Sequence, residues 1–230
     1  MKLILIDGNA IVHRAYHALP PLTNREGQVV NAVYGFFTML FRVVEDLKPT
    51  HLIVAFDTEK PTFRHAAFVG YQAQRPRIES DLSEQFPIVQ EALRIAGIPF
   101  FAVPGYEADD LIGTLAKRSI KHKAKNKIEV IIVTGDRDLL QLVNENVKAY
   151  FPVKGLTEAR LFDAAGVKDY LGIEPSKVIE YKALVGDQSD NYPGVPGIGP
   201  KTAISLIEKF GTLEGVYQAI FKKKKVGDIS

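Results

Sequence analysis

The chain of 230 residues contains no cysteine. Disulfide bonds, thiolate zinc sites and cysteine nucleophiles are therefore all excluded. Histidine is scarce, with five in the chain. His13 and His17 stand four apart, but no third soft ligand accompanies them, so a zinc site is not expected there. No apolar stretch approaches the roughly 20 residues needed to span a bilayer. The opening run LILI is too short for a signal-peptide core and breaks at Asp7. A soluble protein, cytoplasmic if bacterial, is the expectation. Internal repeats are absent, and KKKK (222–225) is the only low-complexity tract. Net charge is also small, at +2, yet the charges are sorted along the chain. Acids gather at strand and helix ends, while lysines form runs such as KRSIKHKAKNK (117–127). That pattern favours a polyanionic partner.

What is present reads as alternating elements. Three apolar, β-type runs each end in a carboxylate: LILID (3–7), HLIVAFD (51–57) and EVIIVTGD (129–136). Runs this apolar suit central strands of a parallel sheet covered on both faces. The spacing in VVNAVYGFFTMLFRVVEDL (29–47) predicts a helix packed on that sheet. Residues 81–97 form a second helix frame, opened by acids and closed by Gly97. IPFFAV (98–103) predicts a further strand, 106–123 a helix, and VKAYFPV (147–153) an edge strand. An open α/β domain over about 1–155 follows. From about 156 onward the segments LTEARLFDAAG, PSKVIEYKALVGD and KTAISLIEKFG read as short helices with no strand, a helical subdomain over 156–230. Residues 58–80 have no clean period and are placed as a mobile segment over the ligand-binding edge.

In an open parallel sheet, ligands bind beyond the carboxyl ends of the strands. Asp7, Asp57 and Asp136 sit at three such ends, and Glu107, Asp109 and Asp110 open the helix after the strand at 98–103. Asp138 follows Asp136 by two, and Asp187 and Asp190 are three apart, on one face if that stretch is helical. Nine acids at one rim repel one another unless cations compensate. Oxygen-only donors point to Mg²⁺ or Mn²⁺ rather than zinc. Their number argues for two ions, which about 4 Å apart can activate a water and stabilise the leaving oxygen of a phosphodiester.

The stretch GDQSDNYPGVPGIGPKTA (186–203) resembles a phosphate loop. A Walker A loop requires G-x-x-x-x-G-K-[ST] after a strand. Here Pro200 separates Gly199 from Lys201 and Thr202, and no strand precedes the loop, so a nucleotide cradle is rejected. A Gly-rich turn, GVPGIG (194–199), at the head of a helix suits an external phosphate. It favours a helix-hairpin-helix that grips a duplex backbone without reading its sequence.

Five motifs occur together and in order: LIDGNAIVHRAYHALPPLTNREG, THLIVAFD…TFR, GYEADDLIGTLA, TGDRDLLQLV and LVGDQSDNYPGVPGIGPKTA. On these, from residue 2 to about 217, the chain resembles the bacterial 5′ nuclease family: the N-terminal 5′→3′ exonuclease and flap endonuclease domain of DNA polymerase I and its stand-alone relatives. The resemblance implies a PIN-like core, a central mostly parallel sheet flanked by helices, with a C-terminal helix-hairpin-helix subdomain. It implies a metal-dependent nuclease acting on DNA with a 5′ flap, nick or free 5′ end, in replication and repair. Asp7, Asp57, Glu107, Asp109 and Asp110 would surround the first metal, and Asp136, Asp138, Asp187 and Asp190 the second. Gly194, Val195, Gly197 and Gly199 would form the hairpin turn, with K⁺ enclosed, and Lys201 and Thr202 would meet backbone phosphate. Arg14 and Tyr16 resemble the family's DNA-end contacts, and residues 58–85 fall in its arch, with Phe63 packing the arch base. A monomer, or a domain joined to a polymerase, is implied.

Two departures stand out. The family's YKAxRP reads YQAQRP here, so the lysine expected near the scissile phosphate is Gln72, which supplies no point charge. Arg75, Arg77 and Arg64 are placed to compensate. The family domain also continues for tens of residues past the hairpin, whereas this chain ends in KKKKVGDIS, which predicts a C-terminally truncated duplex surface. A DNA-junction binding module with weakened catalysis is therefore the second reading, and a PIN-like ribonuclease the third.

Overall fold

The computed structural model describes residues 1–76, 78–121, 128–154 and 158–227. Arg77 and the 122–127 part of the lysine-rich run lie outside the described residues. Of residues 223–227 only the backbone is described.

Six strands form one sheet: β1 (Lys2–Asp7), β2 (His51–Phe56), β3 (Phe100–Ala102), β4 (Glu129–Val133), β5 (Val147–Lys154) and β6 (Glu158–Phe162), in the order β3-β2-β1-β4-β5-β6. All neighbours run parallel except β5 and β6. The apolar runs explain the layering. Alternate side chains of a strand face opposite sides, and here both sides are buried. Ile4, Ile6, Val54, Phe56, Ile131 and Val133 face one core, under helices α1 (Gly8–Ala18), α2 (Asn31–Leu47) and, after the short α3 (Phe63–Ala67) and α4 (Ser80–Ser83), α5 (Gln85–Ile95). Leu3, Leu5, Ala55, Val130 and Ile132 face the other, under α6 (Ala108–Lys121). The chain order runs outward from β1 through β2 to β3 and then restarts beside β1 with β4. The switch point therefore lies between β1 and β4, where a crevice opens at the carboxyl ends.

The predicted helix at 29–47 is α2, which ends where Lys48 adopts a left-handed conformation ahead of Pro49. Its first turn has no side-chain cap of its own. Buried Gln85 supplies one, its Oε1 accepting from Ala32 N (2.8 Å) and Val33 N (3.2 Å). The helix expected at 81–97 is broken at Glu84. Pro87 lacks an N–H and is tolerated only in a first turn, so α5 restarts at Gln85.

Two further expectations are corrected. LTEARLFDAAG is not a helical segment: Glu158–Phe162 is β6, antiparallel to β5, and the helix α7 (Ala164–Leu171) begins only after Asp163 caps Gly166 N at 2.8 Å. Strand β5 is accordingly internal rather than an edge. Its outer backbone groups need partners, and tertiary pairing overrides the weak helical preference of Glu, Ala and Arg. Phe162 fixes the register by burying against Phe151 and Tyr170, at centroid distances of 6.1 and 5.3 Å.

Beyond the sheet, α8 (Val178–Val185), α9 (Pro200–Phe210) and α10 (Leu213–Gly227) complete the helical part. Leu184, Ala203 and Ile207 form its small core, with Tyr181, Ile198 and Leu213 packed around them. Truncating Phe162 should reveal that β6 is integral to the fold. Phe162→Ala is expected to cost about 3–5 kcal/mol, a fall in Tm on the order of 10 °C by thermal unfolding.

Candidate metal centre

Each acid at the crevice is placed by the backbone that precedes it. Asp7 closes β1 and is almost fully buried, at 4% exposure. Its Oδ1 accepts from Ala10 N (2.9 Å), capping α1, and its Oδ2 accepts from the Thr134 hydroxyl (2.8 Å). Thr134 follows β4 and also receives Asp136 N at 2.9 Å, so one hydroxyl ties the two strand ends at the switch point together. Asp136 in turn accepts from Asp138 N at 2.8 Å. Past β2, Asp57 N donates to Asn9 Oδ1 (2.9 Å), and Asp57 Oδ1 accepts from Ala108 N (2.7 Å) at the start of α6. Carboxylates at helix N-termini gain from the free N–H groups and the helix dipole.

Asp109 and Asp110 point to opposite fates. Asp110 takes a bidentate pair from Arg64 (2.7 and 2.8 Å) and accepts from Glu107 N (3.0 Å). Burial pushes its carboxyl upward, but the guanidinium outweighs it and the pKa falls below the usual range. Asp109 has no hydrogen bond or ion pair among the described residues. Burial first, then the charges of Asp7, Asp136, Asp57 and Glu107, push it up to about 9. Asp7 is raised to about 6, again chiefly by burial. Glu107 is also raised by burial, against Arg64 at 3.5 Å and hydrogen bonds from Tyr71 (3.0 Å) and Thr62 (3.3 Å).

The second group sits across the cleft. Asp187 and Asp190 do not share a helix face, as a helical stretch would require. They stand on a turn that closes on itself, with Asp187 N to Tyr192 O at 2.9 Å and Tyr192 N to Asp187 O at 2.7 Å. Two glycines allow it. Both Gly186 and Gly194 have positive φ, and a Cβ on either would stand 2.5 Å from backbone of the facing strand of the turn, at Tyr192 O and Gly186 N respectively. Carboxylate oxygens of Asp138, Asp187 and Asp190 lie within 4.8 Å of one another, an arrangement able to hold a divalent cation. At an effective dielectric constant near 20, like unit charges about 4 Å apart repel by about 4 kcal/mol. Lys182 answers part of that charge: its Nζ is 2.5 Å from Asp138 Oδ1 and ion-paired with Asp187. Burial raises the Asp138 pKa in spite of Lys182, whereas hydrogen bonds from Lys182 and Ser189 overcome burial at Asp187 and lower it.

Between the groups lies a cleft of about 370 Å³ lined by Glu107, Asp109, Asp110, Asp138 and Asp190, with Arg64, Tyr71 and Lys117. Asp7, Asp136 and Asp57 are near enough to act on Asp109 electrostatically. Five of the nine predicted acids line this cleft, and Asp187 stands beside Asp138 and Asp190. The donor set, all carboxylate oxygen, fits a hard, oxygen-seeking cation: Asp109 has no hydrogen bond or ion pair among the described residues, and Asp138, Asp187 and Asp190 bring oxygens within 4.8 Å of one another.

The predicted DNA contacts are more dispersed. Arg64 was expected to compensate for Gln72, yet it is engaged by Asp110 and Glu107. Gln72 itself donates to Asp190 Oδ1 (3.0 Å) and Tyr71 (3.2 Å). Phe63 is half-exposed beneath the Arg64 guanidinium (4.7 Å), with its ring 6.0 Å from Tyr106. Tyr16 donates to Asp81 at 2.9 Å and packs on the core beside α1, which also carries Arg14. His13 packs edge-on against Phe86 at 5.9 Å. Arg75, Lys201 and Thr202 are exposed, and Gly194, Val195, Gly197 and Gly199 form the turn before α9; none of these lines the cleft. Sequence reasoning missed Asn9, Thr62, Tyr71, Thr134 and Lys182. Only Thr134, a hydroxyl at a strand end inside TGD, carried a usable signal.

The chain matches the 5′-3′ exonuclease N-terminal, resolvase-like domain over residues 2–172 and the 5′-3′ exonuclease C-terminal SAM fold over 173–229. It belongs to the 5′-3′ exonuclease family. It is 40% identical over 233 residues to a 5′-3′ exonuclease of Aquifex aeolicus, covering 99% of this chain and 78% of that protein. It is 46% identical over 219 residues to DNA polymerase I of Bacillus caldotenax, covering 95% of this chain but 24% of the polymerase. The chain therefore spans about a quarter of the DNA polymerase I relatives it matches, which are bacterial. The T5 5′-exonuclease, solved with bound zinc, shares the fold with a TM-score of 0.76 at 23% identity, over 95% of this chain and 79% of that one. Among the described residues no helix is long and apolar enough to cross a membrane.

Asp109 generates a pH prediction. Without metal, the folded state keeps a proton on Asp109 that the unfolded state has released above about pH 4. Its contribution to stability is therefore lost as pH rises toward 9. In EDTA, Asp109→Asn should be more stable than the unsubstituted protein at pH 8 and nearly equal at pH 5. Saturating Mg²⁺ should abolish the difference. Parallel Tm-against-pH profiles would contradict this.

Proposed function

We propose that the chain is a structure-specific, divalent-metal-dependent 5′ nuclease of DNA, hydrolysing phosphodiesters at flaps, nicks and free 5′ ends. The observation that carries this reading is the convergence of five carboxylates from separate elements on one open cleft, with Asp7, Asp57 and Asp136 near enough to act on Asp109, and Asp187 beside Asp138. Asp7, Asp57, Glu107, Asp109 and Asp110 would hold one ion, and Asp136, Asp138, Asp187 and Asp190 another, as Mg²⁺ or Mn²⁺. Such ions supply an activated water and charge stabilisation at the phosphodiester. The protein's own residues position them: Thr134 and the N-termini of α1 and α6 fix the deep carboxylates, and Arg64 orients Asp110. No side chain is needed as a covalent nucleophile.

The functional division follows the fold. The sheet through β6 carries most of the acids and residues 58–85 the arch. The helices after it carry the hairpin, where Gly194, Val195, Gly197 and Gly199 with Lys201 and Thr202 would take backbone phosphates and K⁺. Arg14, Tyr16, Arg64, Gln72, Arg75 and Arg77 would meet the 5′ strand. A DNA substrate in a bacterium implies the cytoplasm and nucleoid.

Asp110→Ala should reduce Mg²⁺-dependent cleavage of a 5′-flap substrate by at least about 100-fold, with affinity for the flap in Ca²⁺ or EDTA held within about threefold. Unchanged cleavage would sink the proposal.

The arrangement of Gln72 favours a second reading, a junction-binding module with weakened catalysis. The amide is spent on Asp190 and offers no charge to a phosphate. Gln72→Lys discriminates. A rise in cleavage of about tenfold or more at nearly constant, salt-dependent flap affinity supports weakened catalysis, and an unchanged rate removes it.

A further inference from the structure

Lys182 stands outside every assignment made so far. Helix α8 ends at Val185, where Gly186 N closes on Lys182 O at 2.7 Å, so the backbone of Lys182 is fixed in the last turn. From there its side chain reaches across to two elements: Asp138, on the short turn after β4, and Asp187, five residues on. Nζ stands 2.5 Å from Asp138 Oδ1 and pairs with Asp187 Oδ2. The third acid of the group, Asp190, is held instead by the neutral amide of Gln72.

We infer that Lys182 is the resident counter-ion of the Asp138/Asp187/Asp190 group and sets how tightly that group takes up a divalent cation. The inference rests on the metal reading of these acids. Three carboxylates within 4.8 Å of one another are matched, among the described residues, by one ion-paired side-chain cation. A divalent ion bound by Asp138 and Asp187 would need the oxygens that Nζ contacts, so the two cations compete. The flexible four-carbon stem lets the ammonium withdraw where a rigid guanidinium fork could not follow the same path. Lys182 acts through the acids, as a positioning residue. It keeps the second group assembled without metal, at the cost of weaker metal uptake.

The test is Mn²⁺ binding to the whole chain by calorimetry and EPR, with Tm measured in EDTA and in Mg²⁺. Lys182→Met should lower Tm in EDTA, enlarge the rise in Tm on adding Mg²⁺, and tighten one class of Mn²⁺ site by about tenfold. Lys182→Arg, whose guanidinium withdraws less readily, should bind Mn²⁺ more weakly than the unsubstituted protein, and tightening like that of Lys182→Met would overturn the inference. Unchanged or weakened Mn²⁺ binding in Lys182→Met overturns the inference, since a purely structural lysine would weaken the site when lost. In the unsubstituted protein, amine labelling of Lys182, read by mass spectrometry, should accelerate on saturation with Mg²⁺. Equal or slower labelling overturns it too, and this arm stands even if Lys182→Met does not fold. Failure of the unsubstituted protein to bind Mn²⁺ at all would instead defeat the metal reading beneath it.

Discussion

Carboxylate repulsion at the carboxyl ends of β1, β2 and β4 is the constraint to which the surrounding structure answers. The protein meets it in three ways. Deep acids are given neutral donors: Asp7 takes Ala10 N and the Thr134 hydroxyl, and Asp57 takes Ala108 N. Outer acids are given side-chain cations, with Arg64 on Asp110 and Lys182 between Asp138 and Asp187. Asp109 receives neither, and burial together with its acidic neighbours pushes its pKa up to about 9. Each device loses its necessity when a divalent cation is present, which is why the arrangement reads as a metal centre rather than as a network built for stability. Buried ion pairs add little stability on their own.

The segment over the crevice is tied to both groups of acids. Within nine residues Arg64 reaches Asp110, Tyr71 reaches Glu107 and Gln72 reaches Asp190. Its underside is fastened to the acidic turn: Asn191 donates to Gly70 O at 2.7 Å, Gln72 N donates to Asp190 O at 3.2 Å, and Phe68 stacks on Tyr192 at 5.3 Å. Gln72 holds a positive φ of 52° to do this, a conformation uncommon outside glycine. The neutral amide at that position therefore has a structural consequence beyond a missing charge. It places a donor on Asp190, and one face of the segment 64–72 rests on the carboxylates it contacts.

Much of this was legible in the sequence, and the reasons differ by element. Strands β1, β2 and β4 were visible because a strand buried on both faces must be apolar throughout, and the acids were visible because each ended such a run. Helix α2 declared itself by its apolar spacing. Strand β6 was hidden, since an exposed antiparallel strand of Glu, Ala and Arg has no apolar signature and exists because β5 needs a partner. The break at Glu84 has its signal in Pro87, which a helix tolerates only in its first turn. Within the site, the acids could be named but their partners could not. Arg64 to Asp110 spans 46 residues and Lys182 to Asp138 spans 44, and no local pattern records such pairings.

The Gly-rich stretch joins the acidic turn to the head of α9 through a few residues held by backbone hydrogen bonds. Asp187 and Asp190 stand on the turn that Gly186 and Gly194 pinch shut, and Val195 N is bound to Leu184 O at 2.8 Å immediately beyond it. The same few residues then lead through Gly197 and Gly199 into the N-terminus of α9. The acidic turn and the Gly-rich turn before α9 are therefore parts of one knot anchored to α8, with Leu184 buried against Ala203 and Ile207. On the proposed function, the duplex backbone would be gripped at a fixed separation from the cations that act on it. The distance between grip and cut would then be a property of the knot rather than of the DNA sequence. That is the behaviour expected of an enzyme that recognises a junction by its shape, since backbone contacts position a duplex without reading its bases.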